Sequence, residues 1–269
     1  MPTSICMLNQ KGGVGKSSTV FHLAGGMVEA GKRVLLVDLD PQGSLSQGFF
    51  GSSCVEMIEA ENTVARLFAD SAFFSILDQL VVPTRFESIS IVVANQHLAR
   101  FNTPEPESTG MLQYALRELL REAIEFDVVL IDCPPNLYRC SWLALVAADY
   151  VLIPVPPEDF GTQGLRAVHQ TSEHARQLNP KLRRLGHLIS RSDRRLLIHR
   201  AYEQRVRELY QSNVLETVIP EASAFKVSLA SRSPVEFDMP NSLAAKLTRE
   251  LTREILDRID EKNTSLKVA

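Results

Sequence analysis

Eight consecutive residues, Gln10-Lys11-Gly12-Gly13-Val14-Gly15-Lys16-Ser17, set two lysines around a glycine-rich turn. Glycines without a Cβ let successive backbone N–H groups converge on an anion, and the exposed N–H groups of a following helix start add partial positive charge. Such a turn is built for phosphate. In that chemistry Lys16 rests on the β- and γ-phosphate oxygens as a point charge. The Ser17 hydroxyl is then one ligand of a Mg²⁺ held between them. The spacing meets the pattern G-x-x-x-x-G-K-[ST] at Gly15, Lys16 and Ser17, with Gln10 in place of its first glycine. Lys11 is a second cation that a phosphate loop does not require.

Two acidic segments complete the candidate chemistry. Arg33 to Asp38 is an apolar run that ends in Asp38-Leu39-Asp40 and a Pro41-Gln42-Gly43 turn. Phe126 to Asp132 is a second such run, closed by Asp132-Cys133-Pro134-Pro135. Runs of this kind suit central strands of a parallel sheet, buried on both faces, whose carboxylates emerge at the carboxyl ends where ligands bind. Taken alone, Asp40 equally suits a turn-capping carboxylate before Pro41.

These residues need elements to hold them. Ile5 to Leu8 reads as the strand before the loop, and Leu23, Ala24, Met27 and Val28 mark one side of the helix after it. Further strands are expected at Ser88 to Ala94, Tyr150 to Val155, Arg184 to Ser190 and Val214 to Ile219. Helices are expected at Gly110 to Ile124 and Gln163 to Leu178. The alternation predicts an α/β fold, a doubly wound, mostly parallel sheet with helices on both faces. Glu56 to Phe86 is placed as an excursion at the sheet edge, with helices at Val64 to Ala69 and around Ile76. With 269 residues, 45% hydrophobic and 23% charged, and no low-complexity linker, residues 1–269 are expected to form one domain. Cys6, Cys54, Cys133 and Cys140 form no C-x-x-C pair, and no signal-peptide pattern precedes the first strand, so a cytoplasmic protein with reduced thiols is expected.

Lys11-Gly12-Gly13-Val14-Gly15-Lys16-Ser17-Ser18 resembles the deviant Walker A box of the ParA/MinD ATPases, in which Gln is common in place of the first glycine. The resemblance implies ATP and Mg²⁺ as ligands and a homodimer that sandwiches ATP, with Lys11 touching the partner's nucleotide. It implies that Asp40 orients the attacking water, that Asp38 lies near the metal shell, and that Asp132 is the Walker B acid. Ser17, Asp40 and Asp132 are then the metal set, and Lys11, Lys16 and Asp40 the catalytic set. Ile219-Pro220 resembles a family turn bordering adenine. Ser190 leaves its strand beside the same expected base pocket, so residues 11–18, Ser190 and Pro220 form the nucleotide set. Glu158 to Leu165 resembles the family's interface segment, although a plain loop with Gln163 capping a helix explains it as well.

The chain carries −3 overall, yet residues 181 to 207 hold nine Lys and Arg against two acids, a local +7 that leaves −10 elsewhere. Local arginine excess suits binding to a phosphate backbone through counterion release, while a solvated helix face accounts for the same composition. Related ParA proteins hold nucleoid DNA nonspecifically when ATP has made the dimer. By that likeness Arg191, Arg194, Arg195 and Arg200 are first candidates for DNA contact, and Lys226 and Arg232 second. Slow hydrolysis stimulated by a ParB-like or adaptor partner follows from so few catalytic aids. The expected cellular role is segregation or positioning of a cargo on the nucleoid.

Two rivals share parts of this pattern. A MinD-like ATPase acts at a membrane surface, but the terminal Leu243, Leu247, Leu251, Ile255 and Ile259 stripe carries mixed charge and suits packing on the sheet. A metal or cluster carrier needs paired thiolates. No helix-turn-helix pattern accompanies the loop, so operator-specific repression is not expected.

Overall fold

The computed structural model describes residues 1–69, 76–104, 106–157 and 162–268. Seven strands form one sheet: β1 (Thr3–Met7), β2 (Val34–Asp38), β3 (Val81–Pro83), β4 (Ile89–Val92), β5 (Val128–Asp132), β6 (Tyr150–Val155) and β7 (Arg183–Ile189). Their spatial order is β3-β4-β2-β5-β1-β6-β7. Every pairing is parallel except β3 against β4 at the edge. Parallel neighbours need crossovers, and the helices that make them cover both faces of the sheet.

Strand residues divide between the two faces with a period of two. Cys6, Leu35, Val37, Val129 and Ile131 join Trp142 and its neighbours in one core. Ile5, Met7, Val34, Leu36, Val128 and Leu130 join Phe21, Met27 and the last helix in the other. Doubly wound architecture is thus read directly from alternate side chains of the same strands. β1 lies between β5 and β6, so the chain departs to opposite sides of it. The loop after β1 stands where open α/β sheets place their ligands.

Several expected elements take a different form. Val214 to Ile219 is no strand: only isolated bridges, His187 to Val214 and Ser192 to Pro220, reach it. Backbone bonds run from Leu215 N to His187 O and from Ile219 N to Ile189 O, and Pro220 has no N–H to continue a ladder. The expected helix from Gly110 begins at Ala115 and ends at Glu122, because Gly110 sits at φ 56, ψ −130 inside a preceding 3₁₀ stretch. In the edge excursion the helices are Arg66–Ala69 and Leu77–Leu80, and the reversed strand β3 follows. The last helix, Leu243–Val268, buries Leu251, Ile255 and Ile259, but Leu243 is 65% exposed. Thr248 and Thr252 are buried instead against Gly26 of the first helix, and Ala244 and Ala245 against Phe225 and Val235. Among the described residues no helix is long and apolar enough to cross a membrane.

Candidate nucleotide site

The loop from Asn9 to Ser17 is held by its own ends. Asn9 Nδ2 donates to the Pro154 carbonyl at the end of β6 (2.6 Å), and its Oδ1 accepts from Lys11 N (2.9 Å). The left-handed turns fall at Gly13 (φ 70) and Gly15 (φ 89), the latter directly preceding helix Lys16–Glu29. Gln10 has no positive φ, so a side chain at that position costs the loop nothing. Lys16 is 6% exposed, and its Nζ donates to the Lys11 carbonyl at 3.0 Å. Burial lowers the Lys16 pKa, while the carboxylates of Asp132 and Asp40 pull it back up. Lys11 is exposed at the lip of the loop.

Asp38 and Asp132 are register partners at the carboxyl ends of β2 and β5. Both are fully buried, yet they differ in function. Asp38 is saturated: Oδ2 accepts from Ser46 N (2.9 Å) and Ser46 Oγ (2.7 Å), and Oδ1 from Asp40 N (3.0 Å). Burial still pushes its pKa up to about 7. Neither oxygen of Asp132 makes a hydrogen bond of normal geometry. Burial and then the Asp38 charge raise its pKa, with the Ser17 hydroxyl and Lys16 only partly offsetting them. A buried carboxylate with open oxygens costs free energy unless a cation or proton satisfies it. Its hard oxygens beside the Ser17 hydroxyl fit a Mg²⁺, and Asp38, consumed by Ser46, does not.

Asp40 takes the turn-capping position and also faces the cavity. Its Oδ1 caps the turn by accepting from Gln42 N (2.9 Å), and the residue also lines the cavity above the loop. That cavity, about 400 Å³, runs from Gly12 to Thr19 past Asp40 and Pro135 to Ser190, Pro220 and Phe225. Ser190 is buried and its Oγ donates to the Val14 carbonyl at 2.9 Å, tying the end of β7 to the phosphate loop. Of the nucleotide candidates, Gly12, Gly13, Gly15, Lys16, Ser17, Ser18, Ser190 and Pro220 line this one cavity, whereas Lys11 and Val14 do not.

The DNA candidates separate. Arg191 and Lys226 turn toward the cavity mouth, where both pair with Glu221. Arg195 is held by Asp193 at 2.7 Å but remains 89% exposed. Arg194 and Arg200 make no ion pair among the described residues and border a shallow depression with Arg207. Arg232 lies elsewhere, its guanidinium against Gly51. Of the resemblance to an interface segment, residues 158–161 lie outside the described residues; Thr162 opens the helix Thr162–Ala175. Asn136 caps a local turn through Tyr138 N. Cys133 is buried beside Cys6 and packs. Asn9, Ser46 and Glu221 escaped the sequence reading, because only folding brings each to its partner. An Asn just ahead of a glycine loop is the one local signal among them.

A family model for an AAA domain matches residues 2–184. The chromosome-partitioning ATPase Soj of Thermus thermophilus is 35% identical over 264 residues, covering 96% of this chain and 96% of its own. The chromosome partitioning protein ParA of Myxococcus xanthus is 31% identical over 98% of this chain and 92% of its own. Among solved structures, cobyrinic acid a,c-diamide synthase of Mycobacterium smegmatis with bound ATP analog and magnesium matches with a TM-score of 0.79 and 29% identity. The match covers 97% of this chain and 96% of that one. With these likenesses running over nearly the whole chain, the chain belongs to the ParA/MinD family of P-loop ATPases.

Proposed function

We propose that the protein is a ParA-like, nucleotide-gated positioning ATPase. ATP and Mg²⁺ bind residues 11–18, two copies close over the nucleotides through Lys11, and the joined dimer binds DNA without sequence preference. Slow hydrolysis, stimulated by a partner protein, returns the dimer to separate copies, and repetition moves a cargo over the nucleoid. The observation that carries the reading is Asp132, fully buried with both oxygens open beside Lys16 and Ser17. A buried carboxylate that Ser17 and Lys16 offset only in part suits a cation.

The chain's own groups divide the work. Ser17 and Asp132 hold Mg²⁺, which, when bound, offsets charge on the phosphate oxygens. Lys16, pinned to the Lys11 carbonyl, points a dry ammonium at the phosphates, where a point charge counts more than in water. Asp40, fixed by the Asp38 and Gln42 turn bonds, presents its second oxygen to the water that attacks. Ser190 and Pro220 border the base. Arg194, Arg195 and Arg200 form the outward basic surface for DNA.

Filter binding to random duplex DNA tests the reading. Retention should require ATP with Mg²⁺ and fall with salt. An Arg194→Ala/Arg195→Ala variant, which removes two arginines from each copy of the dimer, should lower the slope of log affinity against log salt by about 4. Equal retention with ADP or without nucleotide contradicts it. The terminal helix gives the membrane-surface alternative no support, because Leu251, Ile255 and Ile259 are already consumed in the core.

A further inference from the structure

At the cavity mouth one carboxylate holds two cations. Glu221 Oε2 accepts from Arg191 Nη2 at 3.0 Å and Nε at 3.3 Å, and Oε1 accepts from Lys226 Nζ at 2.7 Å. The remaining face of the guanidinium turns to the phosphate loop itself, with Arg191 Nη1 donating to the Gly13 carbonyl. Its Cγ and Cδ run 3.8 and 4.0 Å from the position a Cβ would take at Gly15, and Nη1 is 3.6 Å from that position at Gly13. The side chain thus crosses the two left-handed glycines that shape the cradle.

The backbone is committed to this direction. Arg191 has φ 56, a left-handed conformation that costs a long side chain roughly 1–3 kcal/mol. It persists because both neighbours are fixed: Ser190 Oγ on the Val14 carbonyl, and Ser192 N on the Ile219 carbonyl at 3.2 Å. Strain of this kind, held by its surroundings, is typical of ligand clamps. Guanidinium binds phosphate through paired, charge-assisted bonds that exceed those to a neutral carbonyl. An arriving polyphosphate therefore competes for Arg191 on favourable terms against Gly13 and on even terms against Glu221.

We propose that Arg191 is a nucleotide-clamping residue, parked on Glu221 and the Gly13 carbonyl, that exchanges these partners for phosphate oxygens of a bound nucleoside triphosphate. Glu221 is its counter-ion in the open state and sets how readily it leaves; Lys226 keeps that carboxylate occupied afterwards. This rests on the nucleotide-binding reading above and gives Arg191 a role distinct from DNA contact.

Isothermal titration of the full-length protein with ATP and Mg²⁺ tests it. Arg191→Gly suits the left-handed backbone, so its nucleotide-free melting temperature should equal or exceed the wild type's, yet its ATP affinity should fall about tenfold or more. Arg191→Lys should restore part of the loss. Glu221→Gln should tighten ATP several-fold, and this gain should shrink when combined with Arg191→Gly. A purely structural staple predicts the reverse for Glu221→Gln, a lower melting temperature and no gain in affinity. Wild-type affinity in Arg191→Gly, or a Glu221→Gln gain that persists unchanged without Arg191, overturns the clamp. Wild-type protein that binds no ATP removes the nucleotide reading itself and the clamp with it.

Discussion

Lys16 and Asp40 line the cavity and Asp132 is buried next to Lys16. Lys16 has its pKa lowered by desolvation, and its charge is sustained by Asp132 and Asp40. Replacing it by alanine removes the one buried cation aimed at the phosphates. Lys16→Ala should lose ATP affinity by two orders of magnitude or about that, as charge-assisted bonds in a dry site suggest, when measured by titration. Asp40→Ala should keep ATP bound while hydrolysis drops about 10²-fold, the lower range for a lost general base. Hydrolysis at the original rate in a phosphate-release assay contradicts the role given to Asp40. A separate carboxyl governs pH. Glu236 is 1% exposed, neither of its oxygens is hydrogen-bonded, and burial pushes its pKa up to about 8 from an ordinary 4.5. Between those values the folded chain keeps a proton that the unfolded chain releases, so this contribution is present below pH 4.5 and is lost as pH rises through 8. Glu236 therefore contributes a fall in melting temperature across pH 5 to 8, and Glu236→Gln should make the pH profile of the free protein less downward over that range. An identical slope in the variant removes Glu236 from the explanation.

At the level of elements, the turn after β2 carries Asp40, the proposed hydrolytic residue, and its tolerance is narrow. Gly43 has φ 62, its N–H returns to the Asp40 carbonyl at 2.8 Å, and it opens the helix Ser44–Phe50 that delivers Ser46 to Asp38. A Cβ there meets the Ala94 carbonyl oxygen at 2.6 Å, a backbone atom that cannot step aside. Gly43→Ala should destabilise by more than about 1 kcal/mol in urea unfolding and slow hydrolysis by loosening Asp40. Unchanged stability contradicts the contact. The same turn shows what the sequence makes legible. Unbroken apolar runs ending in Asp announced β2 and β5 because a strand buried on both faces admits little else. The loop was legible for a different reason, since phosphate binding imposes glycine and lysine at fixed spacing. Val214 to Ile219 misled because an apolar run states burial without stating whether its N–H groups meet a neighbour. Leu243 misled because a four-residue stripe ignores the approach of Gly26 to Thr248 and Thr252, which rotates the helix onto its small residues. The Arg191–Glu221–Lys226 cluster is brought together across the intervening helix Leu197–Tyr210, and no local pattern joins its members.

Across the whole molecule, charge and assembly belong together. On the proposed reading, an acidic chain with a local +7 should bind DNA weakly as one copy, and two copies would double the basic surface presented to one duplex. The gate is therefore expected to lie in dimerisation, which brings Lys11, exposed at the lip of the loop, to the partner's nucleotide. Sedimentation velocity of the Asp40→Ala variant, with ATP and Mg²⁺, with ADP and Mg²⁺, and without nucleotide, tests this most directly. A two-copy species with ATP alone, lost when Lys11→Ala is added, is the predicted result. The same sedimentation coefficient in all three conditions contradicts a nucleotide-gated dimer.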